Sequence, residues 1–287
     1  MVEGQPSRTA MGAAFHRAAH QVLEKGSIFE DPLACPILGG DLEFALAEAR
    51  NTPARQRLRL FIAVRARFAE DALRAAIDRG ARQVVILGAG LDTYAYRSGE
   101  PAGVRIFEVD HPATQAWKRQ RLEQALIPLP GSLTFAPVDF ERETLADGLS
   151  HAGFDPSRET FFTWLGVVPY LSEQAVFSAL GYIGALPGGG QVVFDYGNPP
   201  AEGAAQDDYA RARAELAARV ASIGESLRSH FETADLHAKL LALGFREIED
   251  LHPGLIRERY FPTARSPSSE RGGHIVRAAT RLDHADS

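Results

Sequence analysis

Two textures of apolar spacing divide this chain. From Met11 to about Lys25 an alanine-rich pattern predicts a helix. "FEDPLACPILGGDLEFALAEAR" follows as broken helical pieces, interrupted by Pro32, Pro36 and the Gly39-Gly40 pair. Between Pro53 and about Asp78, the positions Leu60, Phe61, Val64, Phe68 and Leu73 recur at helical spacing and predict a longer amphipathic helix, with Gly80 as its stop.

Beyond Gly80, apolar runs of strand length take over: "QVVILG", "VRIFEVD", "LTFAPVD", "TFFTWLG" and "GQVVFDYG". They alternate with helical segments that begin near Asp92, Pro112, Glu141 and Ser172. Such alternation predicts βαβ units in an α/β fold whose sheet is mainly parallel and covered on both faces. Residues 199–230 read as a helical excursion rather than a strand connection. A helix over "TADLHAKLLALGF" then leads to a sixth strand in "REIEDL" and a seventh in "GGHIVRAAT".

Composition narrows the function classes. With 31 basic and 37 acidic residues the formal net charge is −6, which argues against a general nucleic-acid or membrane-surface binder. Cys35 is the single cysteine, so an internal disulfide is excluded and a cytoplasmic setting is expected. The opening "MVEGQPSRTAMGAAF" lacks the basic start and apolar run of a signal peptide, and no apolar run reaches membrane-span length.

The candidate chemistry begins at "VVILGAGLDTYAYR", a strand, a glycine turn and a helix start. Gly88 and Gly90 with Ala89 fill the first places of a dinucleotide fingerprint, but Thr93 stands where its third glycine belongs. Asp92 puts a carboxylate where a pyrophosphate would sit, which is unfavourable; a sulfonium and an ammonium suit that place better. Asp110 ends the second strand run, about 20 residues past Gly90, the spacing at which an acid meets ribose hydroxyls. Asp139 and Phe140 end the third, placed for an adenine amino group and ring. The alternative for both acids is that they cap the helices that follow.

"LGAGLDTYAYR", "FEVDHPATQAWKRQRL", "FAPVDF" and "TFFTWLGVVPYLSEQAV" resemble the leucine carboxyl methyltransferase-like family of S-adenosylmethionine-dependent O-methyltransferases. The resemblance runs from "RTAMGAAFHRA" and "FEDPLA" to "ERYF". It implies a class I methyltransferase fold: a Rossmann-like sheet of seven strands with the last antiparallel, a helical lid region over 1–80, and a core over 81–287 with an insertion at about 199–230. It also implies S-adenosyl-L-methionine as cofactor. Gly88, Ala89 and Gly90 would border its methionine part, Asp110 its ribose, and Asp139 with Phe140 its adenine. In "VRARFAED" the resemblance places an arginine on the cofactor carboxylate, assigned to Arg65 with Arg67 competing; Arg17 is a second, lid-borne candidate. One departure stands out: where several family members carry a glutamate after the fourth strand, this chain has Leu165 and Gly166.

Methyl transfer from a sulfonium chiefly requires alignment. A carboxylate acceptor needs no base, whereas a hydroxyl gains from one. Tyr170 and Tyr196, at or just past the fourth and fifth strand ends, are the candidates to line a pocket for a small-molecule or peptide acceptor, and Arg97, Arg257 or Arg259 are candidates for binding an acidic one. His16 and His20 lack the glutamate of a zinc-protease pair, and there is no C-x-x-C, so no metal site is expected. The competing functions are an NAD-dependent oxidoreductase and a non-catalytic cofactor-binding protein.

Overall fold

Each of the apolar runs read as a strand becomes one. The computed structural model describes residues 7–49, 52–99, 103–140, 142–200, 208–222, 224–262 and 269–281. Strands β1 (Gln83–Leu87), β2 (Arg105–Asp110), β3 (Leu133–Pro137), β4 (Thr160–Trp164), β5 (Gly190–Gly197), β6 (Glu247–Leu251) and β7 (Gly273–Ala279) form one sheet of order β3-β2-β1-β4-β5-β7-β6. β1 pairs with β2, β2 with β3, and β4 with β5, all in parallel. β7 is antiparallel to both β5 and β6. Its place between them is not visible in the order of the apolar runs, because an antiparallel insertion leaves the same pattern of apolar positions as an added edge strand.

The chain packs as two compact units, one made of Met1–Asp71 with Gln83–Phe154, the other of Ala72–Arg82 with Asp155–Ser287. In the first, α1 (Arg8–Leu23) starts at Ser7, whose hydroxyl accepts from the Ala10 amide at 3.2 Å. Its small residues Ala14 and Ala18 pack with Leu38, Leu91, Leu122 and Ile127. α2 (Leu42–Ala49) follows, and α3 (Pro53–Arg79) begins in this unit. The predicted stop is real: Gly80 takes φ +121°, open to glycine and strained for other residues. β1 is buried at every position, as a strand covered on both faces must be. The helix expected near Asp92 is a single turn, α4 (Tyr94–Arg97). α5 (Pro112–Gln124) opens with proline at its first position, and α6 (Leu145–His151) is capped by Thr144.

The second unit holds α7 (Glu173–Gly184), capped by Ser172, and α8 (Asp208–Ser222), the helical part of the 199–230 excursion, of which 201–207 lie outside the described residues. The C-terminal end of α9 (Thr233–Ala242) meets that of α7 so closely that a Cβ on Gly184 would strike the Leu243 carbonyl. α10 (Pro253–Tyr260), short and capped by His252, was not legible in the apolar pattern. Among the described residues no helix is long and apolar enough to cross a membrane, and no metal-ligating cluster forms.

Candidate functional site

The glycine turn after β1 is built from left-handed backbone, with Gly88 at φ +62° and Gly90 at φ +43°. Ala89, between them, is buried and bonds its amide to the Val109 carbonyl of β2 at 3.1 Å. Gly90 has a second reason to lack a side chain. A Cβ there would lie 2.9 Å from the Cβ of Ala10 in α1, so the first turn of α1 sits directly on the glycine turn.

Asp110 reaches back to this turn. Its Oδ2 accepts from the Gly90 amide at 2.6 Å and its Oδ1 from the His111 amide at 2.7 Å. The cap of α5 is His111 instead, whose ring accepts from the Ala113 amide. The helix-cap alternative therefore fails for Asp110. Burial pushes its carboxyl above the usual range, and the two amides pull against that shift. Asp139 lies two residues past β3. It accepts no helix-cap bond from α6, which Thr144 caps, and its carboxylate stands 3.6 Å from the Arg142 guanidinium. Phe140 beside it is half-buried.

α3 separates the two arginines of "VRARFAED". Arg65 is 9% exposed, whereas Arg67 is exposed and paired with Asp71 at 2.7 Å. Of these two, Arg65 is the one that is buried.

Arg17 is held in an ion cluster beside the glycine turn. Its Nη2 donates to Asp31 at 2.7 Å, to Thr93 Oγ1 at 3.0 Å and to the Leu91 carbonyl at 3.2 Å. The Thr93 hydroxyl in turn donates to Asp31 at 2.7 Å, and Arg97 Nε donates to Thr93 at 3.1 Å. Arg97 also forks onto Glu70 of α3, which takes it from the list of acceptor-binding arginines. Burial alone would raise the Asp31 carboxyl; Arg17, Arg97 and the Thr93 hydroxyl hold it below the usual range. With Asp92 at 3.6 Å from Arg17, the cluster sets Asp31, Asp92 and Glu70 against Arg17 and Arg97, and burial pushes the Glu70 carboxyl above its usual range. Asp31 was not singled out from the sequence, because it does not lie at a strand end, and Thr93 was read only as the departure from the third glycine; the "FEDPLA" segment was the available signal for Asp31.

Beneath Asp110 on the same strand, Glu108 and Lys118 form a fully buried ion pair at 2.7 Å, joined by the Tyr96 hydroxyl at 3.1 Å. Burial, only partly offset by Lys118, pushes the Glu108 carboxyl up to about 7.

In the second unit, Leu165 and Gly166 form the turn after β4, with Gly166 at φ +71°. Its amide donates to Asp195 of β5 at 2.6 Å, an anchor not foreseen from the sequence. The following turn is tied down by the Arg228 amide, which donates to the Pro169 carbonyl at 2.7 Å, and by Ser229 Oγ, which donates to the Val168 carbonyl at 2.7 Å. Tyr170 ends that turn half-buried. Tyr196 is 2% exposed, and its hydroxyl bonds Asp250 at 2.7 Å, Thr233 at 3.1 Å and His274 at 3.1 Å. Its ring stacks on His274. The hydroxyl is engaged by these three partners, and burial drives its pKa well up. Arg259 is paired with Glu249 at 2.9 Å.

These features fit S-adenosyl-L-methionine better than a dinucleotide. The glycine turn opens against a buried acid, a buried cation stands on α3, and Asp92 two residues past Gly90 places a carboxylate that favours an ammonium or sulfonium and opposes a pyrophosphate. Thr93, in the third fingerprint place, is committed to the ion cluster, and the helix after it is one turn long.

Comparison with known proteins agrees. Residues 10–184 match the family model described as leucine carboxyl methyltransferase. YktD of Bacillus subtilis strain 168, named for S-adenosyl-L-methionine-dependent methyl transfer, is 31% identical over 291 residues, covering 91% of this chain and 93% of its own. A similarly named Frankia alni protein, FRAAL3718, is 37% identical over 188 residues, 63% of this chain and 65% of that one. A crystal structure from Thermobifida fusca YX, described as that of a methyltransferase, aligns over 98% of this chain and 97% of that chain with a TM-score of 0.59 at 17% identity, a likeness of fold. The chain belongs to the leucine carboxyl methyltransferase family and is an S-adenosyl-L-methionine-dependent methyltransferase.

Proposed function

We propose that this chain is an O-methyltransferase whose acceptor is a carboxylate or hydroxyl of a small molecule or peptide, with the carboxylate favoured. The observation that carries the preference is how its histidine–carboxylate pairs are used. His20 is held by Glu24, and its other nitrogen accepts from the Ile28 and Phe29 amides; His237 and His274 both lie on Asp250 among β6, β7 and α9. Each pair is a structural tie, and a carboxylate, already ionised at neutral pH, requires no base. The name of the matched family model points to the same acceptor class.

When bound, the cofactor supplies a methyl group on a sulfonium, already activated for departure. The protein's part is binding and alignment. Gly88, Ala89 and Gly90 give backbone access to the methionine portion. Asp110, fixed by the Gly90 amide, accepts from the ribose hydroxyls, and Asp139 with Phe140 takes the adenine. Arg65 pairs with the cofactor carboxylate.

The test uses cofactor labelled in its methyl group and a panel of carboxylic acids, alcohols, phenols and short peptides. Label released as methanol by mild alkali identifies an ester and supports the carboxylate reading. Label that survives alkali in an ether moves the acceptor to a hydroxyl. Transfer only to nitrogen or sulfur overturns the proposal.

A further inference from the structure

Three segments of the chain that are far apart in sequence meet at one place: Arg17 of α1, Asp31 of the loop after it, and Thr93 just past the glycine turn. We propose that these three side chains act together as a positioning clasp that ties α1 to the glycine turn, so that the turn holds its cofactor-binding shape only while α1 is docked. This rests on the cofactor assignment made above.

Several observations converge on it. The Asp31 side chain is fully shielded and Thr93 has no exposed surface, so both were removed from water and need partners. Thr93 finds them in the two arginines and Asp31, and Asp31 in Arg17 and Thr93 together with the Leu33 amide, from which it accepts at 3.1 Å. Arg17 touches the turn twice, through the Leu91 carbonyl and the Thr93 hydroxyl, and both points lie within three residues of Gly90. A lysine would not serve, because a single ammonium lacks the planar fork that meets carboxylate, hydroxyl and carbonyl together. Arg97 braces the same hydroxyl and carries the cluster to Glu70 of α3, five residues beyond Arg65. At the opposite end of α1, Ala10 lies against Gly90, and the Ser7 amide donates to Thr114 at the start of α5 at 3.3 Å. α1 is thus fastened along its length over the turn and over the helix that follows Asp110. The low Asp31 carboxyl keeps the clasp charged at neutral pH.

Thr93 is the pivot, since its hydroxyl accepts from two arginines and donates to Asp31. Thr93→Val keeps the shape and removes the hydroxyl; Thr93→Ser keeps the hydroxyl. The clasp predicts that Thr93→Val weakens binding of S-adenosylhomocysteine by roughly tenfold or more, the loss expected when hydrogen bonds to charged groups are left unmade. It also predicts faster amide hydrogen exchange in residues 8–23 with the cofactor product absent. Thr93→Ser restores both to near the unaltered values. If Thr93→Val does not fold, Arg17→Lys carries the same two readouts. Unaltered affinity and unaltered exchange in a folded Thr93→Val or Arg17→Lys protein overturn the clasp. Failure of the unaltered protein to bind the product overturns the cofactor assignment instead, and the exchange comparison still judges the clasp. Faster exchange spread evenly over the chain, with no excess in α1, reduces the cluster to general stability and also overturns it.

Discussion

The Gly90 amide donates to the Asp110 carboxylate at 2.6 Å, across 20 positions of sequence. The first two strand ends are thereby one piece of machinery: the acid that would hold a ribose also fixes the turn that would hold the methionine portion. Removing it should therefore damage both. Asp110→Ala is expected to lower affinity for S-adenosyl-L-methionine by about 2–3 kcal/mol, in the range for a lost charged acceptor. Isothermal titration of the folded variant measures it, and affinity within twofold of the unaltered protein would count against the assignment.

Arg65 and Arg67 give a matched pair, two residues apart on the same helix with opposite surroundings. Arg65→Ala is expected to reduce cofactor affinity tenfold or more, about 1.4 kcal/mol. Arg67→Ala loses one exposed pair with Asp71, worth under about 1 kcal/mol, and should leave affinity unchanged. Parallel titrations decide; equal effects would refute the distinction.

Gly90→Ala adds a methyl group against Ala10 in left-handed backbone. Strain and overpacking together should cost about 1–3 kcal/mol, lowering the melting temperature. A control at Gly39, whose added Cβ would meet nothing within 4 Å, carries the backbone strain alone. A larger loss at Gly90 than at Gly39 isolates the contact with α1.

Much of this was legible beforehand, for identifiable reasons. Buried parallel strands write continuous apolar runs, so β1, β2, β4 and β5 could be read, and the acid Asp110 at the end of β2 stands out by position. The antiparallel insertion of β7 is a tertiary choice with no local trace. Nothing local reveals that Asp31 takes the Arg17 guanidinium. Nor does the strand pattern reveal that the Tyr196 hydroxyl meets Asp250 and His274. Side-chain direction depends on which elements flank the sheet, and the sequence does not state that.

The buried Glu108 carboxyl supplies a pH prediction. Its folded pKa of about 7 lies above the ordinary 4.5, so the native state holds the proton through the interval between them. Stability from this group is thus present at the acid side and falls as pH rises from roughly 4.5 to about 7. Glu108→Gln removes the titration. Urea unfolding across pH 5–7.5 should show a shallower decline for the variant than for the unaltered protein. Parallel curves would show that Glu108 is ionised throughout.

Tyr196→Phe removes one hydroxyl and leaves Asp250, Thr233 and His274 each short of a partner. Stability should fall by about 1–3 kcal/mol. The turnover of folded enzyme, once an acceptor is in hand, should stay within a fewfold of the unaltered value. A loss of a hundredfold or more at unchanged stability would return Tyr196 to the chemistry.

The two margins of the sheet bear on how the protein keeps to itself. At one margin β3 is short and ends in Pro137, which has no N–H to offer a visiting strand. At the other, β6 presents Glu247 and Glu249, drawn into pairs with Arg277 and Arg259. An incoming backbone would have to strip those charges of water and partners before its first hydrogen bond formed, so sheet-to-sheet polymerisation is discouraged at both rims.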